Sequence, residues 1–100
     1  MTIVEWQTQR KAEYDQWFYD FCERNDRRPQ HKDYLASAIW QRRRQEILDT
    51  RGRYCCECGS KYGKLDVHHE SYEHVGYELN SELAVLCNKC HQKKHPKGLA

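Results

Sequence analysis

The sequence predicts an α+β fold, with two N-terminal helices followed by a small core of two short strands and a closing helix. Three observations predict it. Aromatic residues recur at helical spacing in the first quarter of the chain, and two later apolar runs have the length of short strands. Each run also lies near a Cys-x2-Cys pair, Cys55 with Cys58 and Cys87 with Cys90. Such pairs predict a core that closes around them.

The first helix is predicted from about Thr2 to Arg24. Thr2 and Glu5 have the T-x-x-E spacing of a capping box. Apolar side chains then recur with i, i+3, i+4, i+7 spacing at Tyr14, Trp17, Phe18 and Phe21. We expect these aromatic rings to form a core or an interface rather than a platform for base stacking. Residues 25–31 contain Pro29 and predict a break.

The second helix is predicted from Ser37, a suitable N-cap residue, to about Thr50. Its inner face is expected to carry three apolar residues, with Arg44 at the same helical spacing. These three residues are Trp40, Ile47 and Leu48. Gly52 lies just past the predicted end, where a left-handed residue commonly terminates a helix.

The strands of the core are predicted at 65–69 and 83–86, and the segment 70–80 between them is predicted as a loop. The closing helix is predicted over 88–95, since Pro96 cannot continue it. This order places each Cys-x2-Cys pair next to a strand. The sequence therefore predicts that the two strands and the two cysteine pairs belong to the same small core.

The composition predicts a soluble intracellular protein. Of the 100 residues, 38% are hydrophobic and 32% are charged, and no apolar run reaches the ~20 residues of a membrane span. The N-terminus is amphipathic and acid-rich, unlike a signal peptide. We therefore expect a cytoplasmic location and no membrane partner.

The charge is unevenly distributed, although the formal net charge is only +2. Residues 1–26 carry a net charge of −3, residues 27–54 carry +5, and residues 55–100 are neutral. The middle segment is therefore the candidate phosphate-facing surface, and the alternative is a solvated helix face.

The four cysteines at x2 spacing predict a structural zinc site, because two such turns can complete a tetrahedron of thiolates. In an intracellular chain this pattern favours zinc over disulfides. An alternative finger would use the first pair together with His69 and His74, but it leaves the second pair unused. Cys56 is a poorer ligand than its neighbour Cys55, and Cys22 is expected to be a buried apolar residue.

Four histidines near this frame predict a second site. Adjacent strand residues point to opposite faces, so His68 and His69 are expected to have different roles. His91 and His95 are four residues apart, and on a helix they share a face and can bind one metal ion. Cys90 points about 100° away from His91 on that helix. One helix can therefore contribute to both a sulfur site and an imidazole site.

Specific motifs extend over residues 34–95. The first part is Tyr34-x2-Ser37-x2-Trp40, Arg44, Leu48, Gly52 and Cys55-x2-Cys58. The second part is Val67-His68-His69, Tyr72-x3-Gly76 and Leu83-Ala84-Val85-Leu86-Cys87-x2-Cys90-His91-x3-His95. In these motifs the chain resembles the HNH endonucleases that have a zinc-ribbon scaffold and a ββα-metal core. Residues 1–33 lie outside the resemblance and are expected to form a helical extension to a nuclease domain at 34–100.

The resemblance implies a role for each histidine. His69 is expected to be the general base that deprotonates water. Three histidines are expected to bind the catalytic divalent cation, and they are His68, His91 and His95. The resemblance implies Mg²⁺ or Mn²⁺ there, in some relatives Ni²⁺, with structural Zn²⁺ at the four cysteines. It also implies products with 5′-phosphate and 3′-hydroxyl ends.

The chain departs from the family pattern at one position. The middle Asn of the family, which ties down the loop that orients the base, falls on Glu82, with Asn80 two residues earlier. Glu82 can accept a hydrogen bond but cannot donate one when ionised. We expect Glu82 or Glu78 to hold His69 in place, and the alternative is that both are solvent-facing loop acids.

The sequence therefore predicts a metal-dependent DNA endonuclease, monomeric or weakly dimeric, that cuts one strand at a time. Small nucleases that it resembles occur in phages and bacteria. Basic residues of the second and closing helices are expected to contact phosphates, so activity should fall with salt. These residues are Arg42, Arg43, Arg44, Lys89, Lys93 and Lys94. The alternative is a non-catalytic zinc-ribbon module that binds DNA or protein.

Overall fold

The computed structural model describes residues 1–94 and confirms the α+β class. Its helices are α1 (Ile3–Asn25), α2 (His31–Leu35), α3 (Ala38–Arg51) and α4 (Asn88–Lys94). Its strands are β1 (Leu65–His69) and β2 (Leu83–Cys87), and a 3₁₀ turn at Asn80–Glu82 precedes β2. None of the helices in this described part is both long and apolar enough to span a membrane.

Helix α1 begins and ends close to the predicted positions. The side chain of Thr2 caps it by accepting a hydrogen bond from the Glu5 amide at 3.1 Å. Asp26 ends it in a left-handed conformation (φ 52°), where its amide donates to the Cys22 carbonyl. The Cys22 side chain is half-buried rather than buried as predicted.

Helix α2 was not predicted, because five residues are too few for a periodic apolar pattern. Its start is fixed locally by a polar contact: the Gln30 amide donates to the Asp33 carboxylate at 2.8 Å. Arg27 donates to the same carboxylate at 3.0 Å and lowers the pKa of Asp33. The break between the helices was predicted correctly, but the short helix α2 that follows it depends on these side chains.

Helix α3 confirms the predicted N-cap and most of the predicted inner face. The Ser37 hydroxyl accepts from the Trp40 amide at 3.2 Å, and Gly52 follows the helix with φ 95°. The buried positions include Trp40, Ile47 and Leu48. The buried arginine is Arg43, at 5% exposure, whereas Arg44 is only half-buried.

Strands β1 and β2 pair antiparallel, and α4 packs against both. His68 lies opposite Ala84 in the register, and His69 lies opposite Leu83. Every residue of β2 is buried. The strand predictions are therefore confirmed, with β2 one residue longer than expected.

The chain divides into two compact units. The first contains Met1–Arg43 together with Glu73–Glu78, and the second contains Arg44–Tyr72 together with the segment that starts at Leu79. This division by compactness differs from the predicted boundary between residues 33 and 34. That boundary concerned the extent of the family resemblance, and it stays a prediction.

The core of the first unit is aromatic. Tyr34, at 2% exposure, lies 5.6 Å from Tyr14, 6.0 Å from Trp17 and 5.7 Å from Trp40 between ring centroids. Its hydroxyl donates to the fully buried carboxylate of Glu78 at 2.9 Å. Burial, together with this carboxylate, raises the pKa of Tyr34. Tyr14 and Trp17 pack against the buried Tyr34 but are only half-buried themselves, and no residue of α1 is buried, so the predicted row of rings covers this core with partly exposed side chains.

Gly76 gives a test of this core. It has φ 99°, and a Cβ atom there would lie 2.3 Å from the ring of Tyr14. Gly63 also has a positive φ, 77°, but a Cβ there would meet nothing within 4 Å. We expect Gly76→Ala to lower the free energy of unfolding by about 1–3 kcal/mol more than Gly63→Ala does. Equal urea midpoints for the two variants would contradict the described packing.

Candidate functional site

The first cysteine pair lies in a tight turn that is built by the backbone. Cys55 is buried, its amide donates to the Ser60 carbonyl at 2.9 Å, and its carbonyl accepts from the Gly59 amide at 2.8 Å. Gly59 has φ 76°, a conformation that glycine adopts without a Cβ penalty. The Cys56 amide donates to the Val85 carbonyl and so attaches this turn to β2.

The second pair lies at the junction of β2 and α4. Cys87 ends the strand, and Cys90 lies in the first turn of the helix. The Cys90 amide points to the Cys87 sulfur at 3.5 Å, and the Cys58 amide has the same contact with the Cys55 sulfur. The two pairs therefore have matching local geometry, as expected for two halves of one metal site.

The four sulfur atoms converge, since all of them lie within 4.8 Å of one another. The Cys58 and Cys87 sulfurs are 3.7 Å apart. Thiolates that each lie ~2.3 Å from a zinc ion in tetrahedral geometry are about 3.8 Å apart, whereas disulfide sulfurs are ~2.05 Å apart. All four are free cysteines. The four thiolates and their spacing fit a structural zinc ion. Both cysteine pairs belong to this group, whereas the two-Cys two-His finger would leave Cys87 and Cys90 without a metal.

The thiols of this cluster influence one another. Burial opposes ionisation of Cys55, but hydrogen bonds from the backbone at Cys87 and from Cys58 lower its pKa to about 6. Hydrogen bonding to Cys87, followed by burial, raises the pKa of Cys90 to about 12. A divalent cation bound by the cluster would stabilise its thiolates.

A second group of side chains lies between β1 and α4. The rings of His68 and His91 have centroids 5.2 Å apart in an edge-to-face arrangement. Nδ1 of His91 lies 3.2 Å from the Asp66 carboxylate. Asp66 and His68 are two residues apart on β1 and therefore lie on the same face of the strand. This geometry brings together two of the three predicted cation ligands.

His95, the third predicted ligand, lies outside the described residues. Within residues 1–94 the four cysteines are the only set of three or more potential ligands whose atoms are mutually close. The pair His68 and His91 can supply two nitrogen ligands. The predicted three-histidine set stays a prediction.

His69 has different neighbours from His68, as the alternation along a strand predicts. It is only 5% exposed, and Tyr72 stacks on its ring with centroids 5.3 Å apart and planes inclined by 17°. Tyr72 itself is 55% exposed. The two adjacent imidazoles therefore lie in two distinct environments.

Glu82 is buried rather than solvent-facing, at 8% exposure. Its carboxylate accepts from the Leu79 amide at 3.4 Å, and its carbonyl accepts from the Glu70 amide at 2.8 Å. The second bond continues the pairing of β1 and β2 by one residue beyond His69. Glu82 thus fixes the chain immediately after the predicted base.

The other acid and the amide considered for this role, Glu78 and Asn80, both make hydrogen bonds within the protein. Glu78 is fully buried, and its carboxylate accepts from the Tyr34 hydroxyl. The solvent-facing alternative is therefore wrong for Glu78 and for Glu82. The carbonyl of the exposed Asn80 accepts from Arg51, which also donates to the Leu83 carbonyl at 2.5 Å.

The prediction that Arg43 contacts phosphate does not fit its position in the structure. Its guanidinium is buried and donates to the Glu78 carbonyl at 2.8 and 3.1 Å. Arg44 donates to the Leu65 carbonyl at 2.7 Å, and Arg42 forms an ion pair with Glu13. Arg43 and Arg44 therefore tie α3 to backbone carbonyls, whereas the exposed pair of Arg42 with Glu13 leaves Arg42 at the surface.

The lysines of α4 remain on the surface, as predicted. Lys89, Lys93 and Lys94 are exposed, and Lys94 lies 3.5 Å from the carboxylate of Glu57. An exposed ion pair of this kind contributes ~0–1 kcal/mol and is readily exchanged for another anion. The surface of α4 can therefore still present positive charge.

Sequence reasoning missed two residues of the candidate site. Asp66 could have been found from its i, i+2 spacing to His68, which places both on one face of a strand. Tyr72 was noted only as part of a loop motif, and nothing in its spacing predicts that its ring stacks on His69. The two residues contact the imidazoles on which the predicted chemistry depends.

Comparison of the chain with protein-family models, with curated proteins and with solved structures found no match.

Proposed function

We propose that this chain is a metal-dependent DNA endonuclease of the HNH type. The observation that carries the proposal is the arrangement of β1 and α4, where the four-sulfur cluster adjoins the pair His68 and His91, while His69 has a separate environment. Hydrolysis of a phosphodiester needs a cation, and it needs a base to deprotonate water. The arrangement supplies candidates for both.

His91 is positioned for metal binding by Asp66. A carboxylate accepts hydrogen bonds, so Nδ1–H of His91 donates to it, and this bond would favour the tautomer whose Nε2 lone pair can bind a cation. The edge-to-face His68 ring offers the second nitrogen. The bound cation, Mg²⁺ or Mn²⁺, would neutralise charge on the phosphate and on the leaving oxygen.

His69 is the proposed general base. Stacking by Tyr72 restricts the orientation of its imidazole, and the bond between Glu70 and the Glu82 carbonyl fixes the backbone beside it. Its ring accepts a proton from the attacking water and later releases it to solvent. His69 acts as the base and Glu82 as a positioning residue.

We expect Asp66→Asn to weaken activation by Mn²⁺ by about 10–100-fold, since a lost carboxylate partner lowers the basicity and order of a ligating imidazole. The measurement is the rate of plasmid nicking as a function of Mn²⁺ concentration. Asp49→Asn is the charge-matched control, because this exposed carboxylate pairs with Arg53 instead. An unchanged Mn²⁺ midpoint in Asp66→Asn would remove Asp66 from the proposal.

The direct test of the proposed function is a plasmid nicking assay on the zinc-loaded protein with Mg²⁺, with Mn²⁺ and with neither. Nicking that requires the added cation supports the endonuclease. Tight DNA binding without any product under all three conditions would contradict it and favour the non-catalytic zinc-ribbon module.

A further inference from the structure

The turn that follows the first cysteine pair presents an unusually exposed aromatic side chain. We call residues 59–64 the knuckle loop. Tyr62 in this loop is 88% exposed, more than any other large hydrophobic residue within the described part of the chain. Lys61 and Lys64 on either side are also exposed. A tyrosine ring in water leaves unused the apolar surface that it could bury against a partner.

The knuckle loop is held in place by its own backbone and by the cysteine turn. The Cys55 amide donates to the Ser60 carbonyl at 2.9 Å. The Ser60 hydroxyl makes 3.4 Å contacts with both the amide and the carbonyl of Tyr62. Gly59 and Gly63 have φ 76° and 77°, so each end of the loop turns sharply. The exposure of Tyr62 is therefore a consequence of a defined turn.

The charge of the knuckle loop indicates the kind of partner. Residues 59–64 contain two lysines and no acidic residue. Within the described residues, neither Lys61 nor Lys64 takes part in an ion pair. Of the arginines predicted to bind phosphate, Arg43 and Arg44 instead donate to backbone carbonyls, and Arg42 forms an exposed ion pair with Glu13. The ammonium groups of the loop are therefore better placed to bind an external anion.

The other exposed tyrosines do not combine a freely exposed ring with neighbouring lysines. Tyr72 is stacked on His69, and the ring of Tyr54 lies close beside Gly52. Tyr19 is 60% exposed, but its neighbour along α1 is Asp20, and the first 26 residues are acidic overall. An aromatic ring between two cations matches the chemistry of a nucleic acid strand, in which bases alternate with phosphates.

We propose that the knuckle loop is a DNA-contact element in which Tyr62 stacks on an unpaired base while Lys61 and Lys64 bind the flanking phosphates. This inference rests on the proposed function for the identity of the nucleic acid. It assigns strand contact to the zinc-bound turn rather than to helix α3. It also gives a preference for single-stranded or locally opened DNA, because a stacked base must be accessible.

The test is fluorescence anisotropy of a labelled single-stranded oligonucleotide with zinc-loaded protein and no added Mg²⁺ or Mn²⁺. We expect Tyr62→Ala to weaken binding by about 5–100-fold and Tyr62→Phe to retain wild-type affinity. Tyr19→Ala is the control for loss of an exposed tyrosine and should bind as wild type. Zinc content verifies that each variant is intact.

The lysines are tested by the salt dependence of the same binding. The double variant Lys61→Gln, Lys64→Gln should reduce the slope of log affinity against log salt by about 1.4, at ~0.7 per phosphate contact. A wild-type slope, or equal affinity of Tyr62→Ala and wild type, would overturn the inference. Cation-dependent nicking by those same variants would leave the endonuclease proposal standing. Absence of any binding by wild type would also overturn the inference, and the nicking assay decides the proposed function separately.

Discussion

Replacement of His69 by alanine is expected to reduce metal-dependent plasmid nicking by about 10²–10⁴-fold, the range typical for loss of a general base. Zinc content should change little, because His69 is not one of the four residues whose sulfurs converge. The measurement is the initial rate of conversion of supercoiled to nicked plasmid at saturating Mn²⁺.

His74→Ala is the matched control for this experiment. His74 is the ligand that the two-Cys two-His finger would require, and its ring lies 5.3 Å from the ring of Tyr77 between centroids. The four-cysteine site predicts that His74→Ala keeps both zinc and activity. Wild-type nicking by His69→Ala would show that the base has been assigned wrongly, and loss of zinc from His74→Ala would favour the finger.

Replacement of Cys87 by serine is expected to release zinc and abolish cooperative folding of the second unit. Structural zinc sites contribute an apparent ~10–16 kcal/mol, which equals or exceeds the whole stability of most small domains, ~5–15 kcal/mol. Cys87 is buried at the junction of β2 and α4, and its sulfur is one of the four that converge. Zinc analysis and far-UV circular dichroism with urea measure the two effects.

Cys56→Ser is the control for the loss of a thiol. Cys56 is exposed and adjacent to Cys55, but its sulfur is not part of the four-sulfur group. This variant should bind one zinc ion and unfold at the wild-type urea concentration. A Cys87→Ser protein that stays folded and unfolds cooperatively without zinc would contradict the scaffold role of the cluster.

The features that the sequence predicts best are local ones. The first helix was predicted from the capping pair Thr2 and Glu5 and from aromatic residues at helical spacing. The first strand was predicted at its observed bounds, Leu65–His69. The cysteine cluster followed from spacing alone, because an x2 turn can present two sulfurs to one ion without help from the rest of the chain.

The features that the sequence did not predict depend on contacts between distant residues. Tyr34 and Glu78 are 44 residues apart, and only their meeting explains why a loop carboxylate is buried. Helical spacing alone could not separate Arg43 from Arg44, since the burial of Arg43 depends on the position of the Glu78 carbonyl. The stacking of Tyr72 on His69 likewise requires the course of a loop that has no periodic pattern.

If a sulfur-bound ion and an imidazole-bound ion occupy separate sites, as proposed, both metals can be counted on the same protein. Zinc analysis and electron paramagnetic resonance of Mn²⁺ should find one zinc and one Mn²⁺ per wild-type chain. His68→Ala and His91→Ala should each lose Mn²⁺ and keep zinc. Wild-type protein that binds zinc but no Mn²⁺, or histidine variants that bind Mn²⁺ as tightly as wild type, would rule out a cation site at His68 and His91.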